Sequence, residues 1–78
     1  MTVRTRRRTA PRCSSPIVRR LFEVIDAERL HYDDVATRAG VHPLSLHAWK
    51  SGRRSPGIVE TAAVAQAIGL RLTLEART

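Results

Sequence analysis

The sequence predicts a mainly α domain of four short helices, followed by one β-strand that pairs across a homodimer. Three observations predict it. Apolar residues recur three and four apart in four separate stretches, the signature of amphipathic helices. Each stretch opens near Ser, Asp, Pro or Gly, and closes at Gly or at a polar break. Only the last segment, Leu70 to Glu75, alternates apolar and polar with period two. At 78 residues the chain makes one domain at most. A chain this short buries roughly 60% of its unfolded surface, so a partner chain would add needed stability.

In the first helix, Ser15 is the expected N-cap and Pro16 the first helical residue. Ile17, Val18, Leu21, Phe22 and Ile25 form its apolar side, with Arg19, Arg20, Glu23 and Asp26 opposite, up to about Glu28. A second helix is expected from Tyr32 to Ala39. Asp33 and Asp34 suit the positive end of its dipole, and Val35, Ala36 and Ala39 form its inner stripe. Gly40 ends it. Pro43 opens a third helix with Leu46 and Trp49 facing inward, and Gly52 closes it. A fourth follows from Gly57 to Ile68, with Ile58, Ala62, Val64, Ala65 and Ile68 as apolar positions.

The final segment is the expected strand. An isolated strand leaves its backbone groups unpaired, and a second copy supplies the remedy. An antiparallel pair centred on Thr73 sets Arg71 opposite Glu75 and Leu72 opposite Leu74, with Leu70 at its start. The alternative is a last helical turn or a frayed tail.

The chain carries 14 basic and 7 acidic side chains, a net charge of +7, which implies a polyanionic partner. Every basic residue but Lys50 is Arg, the side chain that grips phosphate and guanine with two parallel bonds. A GC-rich genome would produce the same Arg preference, but not the net charge. Residues 1–14 read as a flexible arm, with Arg4, Arg6, Arg7, Arg8 and Arg12 and almost no apolar side chain. Such an arm suits a minor groove; a solvated tail is the alternative. Residues 15–69 are the expected folded domain, and 70–78 the strand and tail.

Cys13 is the only cysteine, which excludes a disulfide framework, and its polar, Pro-containing surroundings predict an exposed thiol. His31, His42 and His47 lack metal-ligand spacing, so no metal or cofactor is expected. No nucleophile–base pair, phosphate loop or dinucleotide fingerprint is present, so an enzyme is not expected either. The absence of a long apolar run and of a signal-peptide pattern predicts a cytoplasmic protein away from membranes.

Residues 30–52 carry the functional signal. Ala36 is small where two helices must approach, Gly40 makes the sharp turn four residues later, and Val41 and Leu46 fill the angle between helices. This is the geometry of a helix-turn-helix, whose second helix is free to enter a major groove.

The stretch from Leu30 to Gly69 resembles the XRE (Cro-type) helix-turn-helix family of bacterial and phage regulators. The features that carry the resemblance are Val35-Ala36 with Gly40, the run from Trp49 to Pro56, and Val64-Ala65 with Ile68-Gly69. The segment from Ala67 to Leu74 is similar to the C-terminal dimerisation strand of HipB-like antitoxin regulators. The resemblance implies a four-helix, lambda-repressor-like domain that binds double-stranded DNA as a homodimer. It makes the third helix the reading helix, with Pro43, Leu44, His47, Ala48 and Ser51 outward. Tyr32 stands where the family usually places a phosphate-contacting Gln, and Arg38, His42, Lys50, Arg53 and Arg54 are further phosphate contacts. His42, Pro43 and Leu44 replace the family's usual Ser or Thr followed by Gln, so direct base reading should be sparse. His47 is its best hydrogen-bonding candidate.

The expected function is therefore a sequence-specific transcriptional regulator, a repressor on an inverted-repeat operator. The alternative is an antitoxin or antiactivator that also binds a partner protein, a toxin or an activator. A packaging protein indifferent to sequence fits the charge. It is disfavoured by the presence of one Trp, one Tyr and one Phe, too few for a stacking platform.

Overall fold

The computed structural model describes residues 10–76. Within them the chain forms four helices: α1 (Pro16–Ala27), α2 (Tyr32–Ala39), α3 (Pro43–Ser51) and α4 (Ile58–Ala67). The protein is mainly α, as the apolar spacing predicts. Arg4, Arg6, Arg7 and Arg8 of the expected arm lie outside the described residues.

Each start has a local cause. Ser15 Oγ accepts the Val18 N–H at 3.4 Å, and Pro16 occupies the first helical position, where no donor is needed. At α3 the cap is His42, whose Nδ1 accepts the Leu44 N–H at 3.1 Å ahead of Pro43. At α4, Glu60 reaches back to the Gly57 N–H at 2.8 Å.

All four helices stop by one backbone device, in which paired 6→1 and 5→2 hydrogen bonds wrap a left-handed residue. After α2, Val41 N–H donates to Ala36 and Gly40 N–H to Thr37. After α3, Arg53 N–H donates to Ala48 and Gly52 N–H to Trp49. After α4, Leu70 N–H donates to Ala65 and Gly69 N–H to Gln66. After α1 the left-handed position falls to Arg29, at φ 55°, with Leu30 N–H donating to Ile25.

The core lies where α2 packs on α3 and α4, and α1 spans α3 and α4. Phe22, Ile25, Leu46 and Val64 are fully buried. Val18, Leu21, Val35, Ala36, Trp49 and Ala65 surround them. Each large apolar side chain so buried contributes roughly 1.5–3 kcal/mol.

Four expectations about burial are corrected. Ile17 is 53% exposed and Ile58 74% exposed, because the buried stripe of α1 runs through Val18, Leu21, Phe22 and Ile25 and that of α4 through Thr61, Val64 and Ala65. Thr61 takes the inner place expected of Ile58, with its hydroxyl donating to the Gly57 carbonyl at 2.8 Å. Cys13, expected to be exposed, is 5% exposed and belongs to the core. The fourth, Ala48, belongs to the site below.

The expected strand is also absent from this single chain. Residues 71–76 have no regular structure, and no strand occurs among the described residues. Leu70 is 39% and Leu74 92% exposed, while Leu72 is partly buried. A lone period-two segment has no ladder to join within one chain, since every other element among the described residues is helical.

Candidate nucleic-acid interface

The outer side of α3 is the most distinctive surface. Leu46 and Trp49 anchor the helix inward. Leu44 is 69% exposed, Pro43 is half-buried, and His47 and Ser51 are exposed. Ala48, expected outward among them, is only 6% exposed. Its carbonyl also receives the Arg53 and Arg54 N–H groups and the Ser51 hydroxyl. Side chains that could meet a partner from this helix are therefore Leu44, His47 and Ser51, with Pro43 at the rim.

His42 is fixed by its capping bond. Because Nδ1 accepts a hydrogen bond, the proton of the neutral ring sits on Nε2. Beyond α3, Ser51 Oγ accepts from Arg53 Nε at 3.2 Å and holds that guanidinium beside the end of the helix. Arg54 is exposed next to it. Arg38 is exposed in the last turn of α2, where a cation complements the helix dipole. With Arg29 and Asp34 it borders a shallow groove of about 140 Å³, smaller than a typical small-molecule site.

Two expected phosphate contacts are engaged elsewhere. Tyr32 donates its hydroxyl to Asp26 Oδ1 at 2.8 Å. Lys50 Nζ lies 3.3 Å from Asp26 Oδ2, and its side chain is only 12% exposed. It also sits 5.0 Å from the centroid of the Tyr32 ring, in cation–π range. Phe22 and His47 both stack with that ring, at 6.0 and 5.2 Å between centroids. One cluster thus ties α1 (Phe22, Asp26), α2 (Tyr32) and α3 (His47, Lys50) together.

Asp26 is the residue that sequence reading missed. Helical spacing puts it on the polar side of α1, and no spacing rule links it to Lys50, 24 positions later. The sequence carries no signal for this pairing; it follows from the packing of α1 on α3, where a largely covered ammonium needs a carboxylate.

The root of the N-terminal segment is also part of this surface. Arg12 N–H donates to the Lys50 carbonyl at 2.8 Å, and Arg19 Nη2 donates to the Cys13 carbonyl at 3.0 Å. The segment from Arg12 is therefore strapped across the C-terminal end of α3 rather than loose up to residue 14. The Arg12 side chain itself is exposed.

Among the described residues no group of three or more His, Cys, Asp or Glu could hold a metal ion. None of their helices is long and apolar enough to cross a membrane. Comparison with protein-family models, curated proteins and solved structures returned no match to this chain.

Proposed function

We propose that this chain is a sequence-specific double-stranded-DNA-binding regulator of transcription, a repressor of the XRE (Cro-type) kind that acts as a homodimer. The observation that carries the reading is the surface around α3. The helix is anchored inward by Leu46 and Trp49, presents Leu44, His47 and Ser51, and is flanked by Arg53, Arg54 and Arg12. An exposed helix face between phosphate-binding cations suits a major groove, with cations on the backbone and the face on base edges. Leu44 offers an apolar contact for a thymine methyl, and His47 and Ser51 offer hydrogen bonds. The net charge of +7 supplies the attraction that is independent of sequence.

The homodimer rests on the exposed Leu70 and Leu74 and on the self-complementary order of Leu70 to Glu75. Two copies joined there would read half-sites about 34 Å apart. The same apolar row favours the second reading, an antitoxin or antiactivator that uses it for a toxin or activator.

The test is enrichment of bound duplexes from a random-sequence pool, followed by a salt titration of the winning duplex. An inverted repeat, with affinity falling steeply as salt rises, is the expected result. Failure to enrich any sequence, or binding insensitive to salt, would overturn the reading.

A further inference from the structure

We infer that Tyr32 is a positioning residue that fixes the imidazole of His47 for base recognition, and that it is not itself a phosphate contact. The inference rests on the DNA-binding reading and adds a specificity device to it.

The Tyr32 ring is held from several directions. Its hydroxyl donates to Asp26 Oδ1 at 2.8 Å. The same carboxylate binds Lys50 Nζ at 3.3 Å, which fixes it in turn. Phe22, 1% exposed, stacks with the ring at 6.0 Å and 28° between planes. A half-buried ring restrained at its hydroxyl and by a core aromatic has little freedom left.

His47 lies against this fixed ring, 5.2 Å between centroids and 16° between planes. It is otherwise exposed. An exposed His on a helix ordinarily samples several rotamers, and ordering it on binding costs affinity. Stacking selects one plane in advance, so that cost falls on folding instead. The partner side chain comes from α2, so the stack also fixes His47 relative to the pair of helices rather than to α3 alone.

The two accounts of Tyr32 make opposite demands on its hydroxyl. A phosphate contact needs the hydroxyl, and its loss weakens binding to every duplex alike. A positioning ring needs the aromatic face, and its loss weakens only what His47 recognises.

The experiment is a double-mutant cycle on a duplex enriched by the wild-type chain from a random pool, with a scrambled duplex as reference. His47→Ala should weaken binding to the enriched duplex roughly tenfold and leave the scrambled one unchanged. Tyr32→Leu should reproduce most of that loss alone and add almost nothing on the His47→Ala background. Tyr32→Phe should keep most of the affinity. Additive losses for Tyr32→Leu and His47→Ala, or an equal loss for Tyr32→Phe on both duplexes, would overturn the positioning role while the DNA-binding reading stands. Failure of the wild-type chain to enrich any duplex would overturn both.

A second readout needs no variant. In the proton NMR spectrum at alkaline pH, the carbon-bound ring protons of His47 should lie upfield of those of His31 and His42, through the ring current of Tyr32. Coincident shifts for all three would also overturn the inference.

Discussion

The backbone oxygen of Arg12 lies 2.9 Å from where a β-carbon on Gly52 would stand. No side chain fits between them, so the N-terminal strap and the end of α3 meet only because position 52 is Gly. Gly52 also has φ 83°, where an L side chain is strained in any surroundings.

Gly52→Ala should therefore cost more than conformation alone. Gly40 is the control, because its φ is 74° and nothing lies within 4 Å of its β-position. Gly40→Ala should destabilise by about 1 kcal/mol and Gly52→Ala by about 2 kcal/mol or more. Thermal unfolding would show a drop in Tm of roughly 4–8 °C for the first and about twice that for the second. Equal drops would mean that the strap does not press on Gly52.

Arg29 occupies a left-handed position that Gly fills after the other three helices. Arg29→Gly should stabilise the fold by about 0.5–1 kcal/mol, the relief of strain less the added entropy of the unfolded chain. A denaturant midpoint that moves upward with unchanged slope would confirm it.

Asp26 serves the Tyr32 hydroxyl and the Lys50 ammonium together. Asp26→Asn keeps an acceptor for Tyr32 but leaves Lys50 without its charge partner, and should cost about 1 kcal/mol. Asp26→Ala removes both and should cost about 2 kcal/mol. Chemical denaturation of the two variants measures the order, and a neutral Asp26→Ala would rule out the cluster as a stabilising element.

The Cys13 thiol is buried and should resist modification in the native state. Labelling with an aromatic disulfide should be slow in buffer and fast in denaturant. Rapid labelling of the folded chain would show the strap to be open in solution.

Oligomeric state is the remaining prediction. Light scattering should show the full chain as a dimer and a version ending at Gly69 as a monomer. A full-length monomer would remove the strand pair and, with it, the two-fold arrangement proposed above.

Much of this fold was legible because its signals are local. Ser15 and Pro16 mark a helix start by themselves, and Gly40 and Gly52 mark stops, whatever lies elsewhere in the chain. The periodicity of Val18, Leu21, Phe22 and Ile25 needs no partner to be read. What escaped reading depends on contacts between distant positions. Cys13 is buried because Arg12 bonds to Lys50, and neither residue announces the other. Tyr32 and Lys50 look like surface groups until Asp26 is placed beside them. Ala48 has too small a side chain for its type to reveal which way it faces. The α4 stripe is ambiguous at Ile58 because that helix is apolar almost all round, and only packing chooses Thr61 over it.

The bond from Arg12 to the Lys50 carbonyl fixes the chain at Arg12 against the end of α3. The eleven residues before it reach at most roughly 40 Å from the end of α3. Four of them are Arg. If α3 docks on a polyanion as proposed, the covalent length alone keeps these guanidinium groups within that distance of the contact, at an effective concentration on the order of millimolar. Weak individual contacts then add as avidity. Removing these four Arg would lower the net charge from +7 to +3, which should both slow the encounter with a polyanion and shorten the lifetime of the proposed complex.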